Sequence, residues 1–154
     1  MAGVAAVTAV TTQSNSSVHA IHLVPADVLA DQILSALNAN DVRAIKIGML
    51  GTRASVGAVA RSLPWHADVP VVLDPVLAAS SGAALLDEGG RYAMRELLLP
   101  RVTLITPNIP EAAVLLGESL AEGEPAVVEQ AMRMRAMGAR AVLLKGGHAT
   151  GIEC

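Results

Sequence analysis

The chain has 154 residues, 53% hydrophobic and 16% charged, with a formal net charge of −3. That length fits one domain, and with no Phe, one Trp and one Tyr its core must be aliphatic. A slightly negative balance without a basic run argues against electrostatic nucleic-acid binding, and base stacking has almost no aromatic ring to use.

The opening "MAGVAAVTAV" is apolar enough for a signal peptide but has no basic n-region, the first Lys or Arg being Arg43. A strand over 4–10 is expected instead. Residues 25–39 have helical spacing, with Val28, Ile33, Leu34 and Leu37 near one stripe and Pro25 suited to a first turn. Further apolar runs follow at 43–48, 69–74, 102–106 and 141–145. They are continuous rather than alternating, as strands covered on both faces are. Between them, 53–63, 88–98, 110–117 and 125–137 read as helices, with Gly117 and Gly138 where a C-terminal glycine belongs. Strand–helix alternation predicts an α/β fold with a mostly parallel sheet. The longest irregular stretch, 75–87, follows a strand ending in Asp74. Ligands of such sheets bind beyond the carboxyl ends of strands, so this stretch is a candidate site wall.

The single cysteine, Cys154, ends the chain. No internal disulfide is then possible, which suits a reducing, cytoplasmic location. No apolar run is long enough to span a membrane. His19, His22, His66 and His148 have no metal-ligand spacing. Neither "GxGxxG" nor "GxxxxGK[ST]" occurs, so neither dinucleotide nor P-loop fingerprint is present.

Each predicted strand ends in something polar or small. One shared sheet would bring Gln13, Met49, Asp74, Asn108, Glu111 and Lys145 toward one crevice. Two carboxylates there can hold Mg²⁺, an ammonium is a point charge for phosphate, and glycines after the lysine let backbone approach phosphate oxygens. That is phosphoryl-transfer equipment. Plainer readings stand beside it. Asn108 with Glu111 outlines a capping box. Asp74 before Pro75 can simply start a turn. Lys145 can be a solvated strand end, and Met49 and Val76 can be core.

The ordered segments "TAVTTQSN", "IKIGML", "VVLDPV", "LLPRVTLITPNIPEAAVLLG" and "MGARAVLLKGGH" closely resemble the hydroxymethylpyrimidine/phosphomethylpyrimidine kinases of thiamine biosynthesis, in the ribokinase-like superfamily. "TPNIPEA" and "KGGH" are shared with pyridoxal kinases, while "KIGML" with "DPV" and the upstream glutamine points to the pyrimidine branch. The resemblance implies a ribokinase-like three-layer sandwich with a mostly parallel central sheet. It implies ATP- and Mg²⁺-dependent phosphorylation of hydroxymethylpyrimidine and its monophosphate by a homodimer, without nucleic-acid or membrane partners. By the same resemblance Gln13 bonds the aminopyrimidine, while Met49 and Val76 contact its ring. Asp74, Asn108 and Glu111 stand near Mg²⁺ and the triphosphate, with Asp74 and Glu111 as the metal-facing carboxylates. Lys145, Gly146 and Gly147 meet the phosphates. The family often has Ala-Gln-Asn where this chain has Thr12-Gln13-Ser14-Asn15.

Two family segments, a glycine-rich first strand and loop and a "GTGC" helix opening, do not occur among these residues. Cys154 is not the cysteine of that second motif. Residues 1–154 therefore read as a single partial domain, incomplete at both ends, with the catalytic group unassigned. A pyridoxal-type kinase and a catalytically silent fragment of the kinase fold are the alternatives.

Overall fold

The computed structural model describes residues 3–14, 17–66, 68–79 and 81–146. Its centre is a parallel sheet in the order β3 (Ile45–Ile47), β4 (Val71–Leu73), β5 (Leu104–Ile105) and β6 (Ala141–Val142). Register aligns Ile47 with Leu73, Leu73 with Ile105, and Ile105 with Val142. Partners in register share a face. On this face Ile47, Leu73 and Ile105 are buried, with Val71.

Each crossover moves one strand further in the same direction. Right-handed crossovers then lay α2 (Arg53–Ser62), α3 (Glu88–Ala93), α4 (Ile109–Leu116) and α5 (Gly123–Ala136) against one face. α3 runs on through a π-helical turn, Met94–Leu98, into a 3₁₀ turn, Leu99–Arg101. The helices present small and aliphatic residues, so they approach closely: Val56, Ala58 and Val59 of α2 and Ala112 and Leu115 of α4 are all buried. The opposite sheet face carries Lys46, Val72, Leu104 and Ala141 in register. Lys46 and Ala141 are exposed there, and Val72 and Leu104 half-buried.

Two sequence expectations change. The first strand is β1, Ala9–Gln13, not 4–10, and it does not enter the parallel sheet. It pairs antiparallel with β2, Val18–Leu23, a strand the sequence reading missed. Pairing fixes the frame: Ala9 opposes Leu23, and a bulge falls between Thr12 and Gln13. The second change is in α1, Ala26–Ala39, which begins just after Pro25 as its spacing predicts. Its inward stripe is Ala26, Leu29, Ala30, Ile33 and Leu37. Val28 and Leu34 are about half exposed, at 46% and 45%. The true stripe follows the i, i+3, i+4 rule more closely than the expected one.

The other helices lie close to their predicted spans. Gly117 caps α4 in the left-handed region, φ 73°. Gly138 follows α5 at φ 116°, with a Cβ there only 2.8 Å from the Pro100 backbone. The stretch at 75–87 is more regular than expected. Ala78 bridges Ala84, and the Leu85 N–H donates to the Leu77 carbonyl at 2.8 Å.

Candidate phosphate-facing site at the strand ends

Asp74 follows β4 directly, and its N–H still donates to the Ile47 carbonyl at 2.8 Å. The sheet ladder thus fixes its backbone before Pro75 turns the chain, and the Val76 N–H closes that turn on the Asp74 carbonyl at 2.9 Å. Asp74 starts the turn that its place before Pro75 predicts. Its side chain is 20% exposed and receives two ammonium groups. Lys145 Nζ lies 2.9 Å from Oδ1 and Lys46 Nζ 3.2 Å from Oδ2. Partial burial pushes the Asp74 carboxyl up, but the two lysines outweigh it and hold it below the ordinary aspartate range.

Lys145 is placed by the sheet as well. Its N–H donates to the Pro107 carbonyl at 2.8 Å, and it bridges Asn108 in parallel register beyond β6. Gly146 is exposed, and a Cβ on it would meet nothing within 4 Å. Room for an approaching anion exists at that backbone. Gly147 and His148 lie outside the described residues, as do Asn15 and Cys154.

Asn108 and Glu111 form the capping box of α4 in full. The Glu111 N–H donates to Asn108 Oδ1 at 2.7 Å, and the Asn108 N–H donates to Glu111 Oε2 at 2.8 Å. Burial drives the Glu111 carboxyl above the ordinary glutamate range. Hydrogen bonds from the Asn108 and Leu77 backbones and the Lys145 charge pull the other way without overcoming it. The neighbouring Asp74 charge adds to the rise. Asp74, Glu111 and Lys145 therefore share one electrostatic environment, and the loop at 75–87 touches it through Leu77.

Of the residues expected on the pyrimidine side, Val76 adjoins the cluster through its bond to Asp74, while Gln13 lies on a different sheet. Gln13 is exposed at the end of β1, on the separate hairpin. The shared-sheet argument therefore does not place it, and the hairpin docks on the rim at its opposite end, through Thr8 and Leu23. Thr8 Oγ1 donates to the Met49 carbonyl at 2.7 Å. Leu23 sits where a Cβ on Gly51, at φ 79°, would be. Both contacts fall just beyond the carboxyl end of β3, on the rim that carries Asp74. Met49 and Val76 are half-buried.

Lys46 is the site residue that the sequence reading passed over. Its signal was present: a lone charge inside the apolar run "AIKIG". Among the described residues the site is an open rim. A cavity of about 540 Å³ lies elsewhere, lined by Glu118, Ala126, Gln130 and Arg133 among others, and none of the strand-end residues lines it.

The family model described as phosphomethylpyrimidine kinase matches residues 1–153. A hydroxymethylpyrimidine/phosphomethylpyrimidine kinase of Rhizobium meliloti is 39% identical over 151 residues, 98% of this chain and 56% of that protein. Its namesake in Escherichia coli is 40% identical over 146 residues, 95% of this chain and 55% of that protein. The chain thus spans about half the length of these curated relatives. Among solved structures, phosphomethylpyrimidine kinase from Clostridium difficile superposes with a TM-score of 0.83 at 28% identity, covering 96% of this chain and 63% of that one. Pyridoxal kinase from Staphylococcus aureus, in complex with AMP-PCP and pyridoxal, gives 0.80 at 30% identity, covering 96% and 52%. These neighbours agree with the α/β architecture around a parallel sheet described above.

Proposed function

Because the chain belongs to the phosphomethylpyrimidine kinase family, we propose that it supplies the nucleotide-phosphate rim and part of the pyrimidine pocket of a kinase. That kinase phosphorylates hydroxymethylpyrimidine and its monophosphate with ATP, in thiamine diphosphate biosynthesis. The observation that carries this is the pairing of Lys145 with Asp74 at 2.9 Å, across strand ends 71 residues apart in sequence, beside the Asn108–Glu111 box. A phosphoryl group in transfer spreads charge over its oxygens, and catalysis comes from holding and neutralising that charge. Lys145 does this as a point charge, and Gly146 leaves backbone room beside it. Gln13, Met49 and Val76 bind and orient the pyrimidine.

Mg²⁺ fits the donor set. Among the described residues no group of three His, Cys, Asp or Glu holds a metal unaided. Two carboxylates on an open rim suit an ion that keeps waters and shares phosphate oxygens. Asp74 and Glu111 would hold it, and it would neutralise charge on the phosphates. A cytoplasmic location and a homodimeric whole enzyme go with this reading. No described helix is long and apolar enough to cross a membrane.

The second reading, a pyridoxal-type kinase, draws on the Staphylococcus aureus structure. ATP-dependent phosphorylation of hydroxymethylpyrimidine and pyridoxal, each competing with the other in the enzyme that carries this chain, separates the two. Preference for the pyrimidine is expected. Preference for pyridoxal would replace the first reading by the second.

A further inference from the structure

A phosphate approaching Lys145 competes with Asp74 for its ammonium. That ammonium is already 2.9 Å from Asp74 Oδ1. Turning it toward an anion strips a carboxylate that is only 20% exposed of one partner, and an uncompensated, largely desolvated charge is costly. Lys46 changes that balance. Lys46 and Val72 are register partners on the open sheet face, and Asp74, two residues after Val72, faces the same way. The Lys46 ammonium reaches the other carboxylate oxygen, Oδ2, at 3.2 Å. The two lysines therefore occupy different oxygens and do not compete. With Glu111 the cluster holds two carboxylates and two ammonium groups, so Lys46 offsets Asp74 while Lys145 is drawn toward a phosphate.

We propose that Lys46 is a positioning residue that keeps the Asp74 carboxylate paired when Lys145 leaves it for a nucleotide phosphate. The proposal rests on the phosphate role given to Lys145 above. Lys46 itself does not contact the phosphate. Its 67% exposed side chain lets Lys46→Met keep the aliphatic stem without opening a core cavity, and Lys46→Arg keeps the charge.

The test is calorimetric titration of the enzyme that carries this chain with inorganic tripolyphosphate in EDTA, so that no metal enters. Thermal melts of each variant check folding. Lys46→Met is expected to weaken binding about tenfold, the scale of coupling between residues in one ion-pair network. Lys46→Arg should restore most of it. In an Asp74→Asn background, Lys46→Met should change affinity less than about twofold, because no carboxylate remains to be held. An undiminished loss in that background would make Lys46 a direct phosphate ligand and overturn the positioning role. Wild-type affinity in Lys46→Met would overturn it too. Lys145→Met separates this failure from failure of the underlying reading. If Lys145→Met binds like wild type, or if wild type itself does not bind, the phosphate role of Lys145 falls and the inference with it. If Lys145→Met loses binding while Lys46→Met does not, only the inference falls.

Discussion

The Glu111 carboxylate closes a capping box with one oxygen while burial works against its charge. Glutamine can close the same box without carrying a charge. Glu111→Gln should therefore leave stability to urea unchanged or slightly raised. Asn108→Ala, which removes the cap acceptor, should cost about 1 kcal/mol. Urea unfolding of both variants checks this, and a large loss in Glu111→Gln would contradict it. Acid should act on Asp74 in the opposite sense. Its carboxyl is held below the ordinary aspartate value by Lys145 and Lys46 against partial burial, so its contribution is complete above about pH 4 and is lost as the pH falls through the lowered value. For Glu111 the raised value means stability falls as the pH rises from the ordinary glutamate value to the raised one. Asp74→Asn should flatten the acid limb of the stability profile measured by urea unfolding, and an unchanged limb would show that the lysine pairs contribute nothing. The capping box of Asn108 and Glu111 and the turn at Asp74 were legible in the sequence because short motifs fix local hydrogen bonds. Lys46 was not, because nothing in a one-dimensional pattern says which carboxylate a strand lysine will meet.

At the scale of elements, the parallel strands were legible as continuous apolar runs, although one face of the sheet is left open here. The hairpin was not. "VHAIHL" of β2 carries two histidines, and β1 takes its frame from a partner rather than from its own composition. The stripe of α1 was misread because Val28 and Leu34 are apolar but turned outward. The hairpin's position depends on Gly51. A side chain there would be strained at φ 79° and would drive into Leu23. Gly51→Ala should therefore cost about 1–2 kcal/mol for the left-handed backbone alone, and it should displace the hairpin that carries Gln13. The expected signature in the whole enzyme is weakened pyrimidine binding with nucleotide binding largely kept. Equal weakening of both would mean that the hairpin does not serve the pyrimidine side.

At the scale of the whole molecule, helices cover one face of the sheet and leave Val72 and Leu104 half-buried on the other, with Leu143 56% exposed nearby. Parallel sheets normally have both faces covered, and bare apolar surface favours association. A polypeptide of residues 1–154 expressed by itself should therefore self-associate in analytical ultracentrifugation, and Leu143→Glu should shift it toward monomer. A monodisperse wild-type monomer would count against the open face as an adhesive surface.

The central claim is that the strand-end cluster handles the transferring phosphate while the hairpin side handles the pyrimidine. Steady-state kinetics of ATP-dependent hydroxymethylpyrimidine phosphorylation, in the enzyme that carries this chain, tests it most directly. Lys145→Ala should lower kcat about a hundredfold, the scale of one lost charge-stabilising donor, with little change in the KM for pyrimidine. Gln13→Ala should instead raise that KM with kcat largely retained. Equal losses in both variants, accompanied by unfolding, or a Lys145→Ala enzyme with unchanged kcat, would contradict the account.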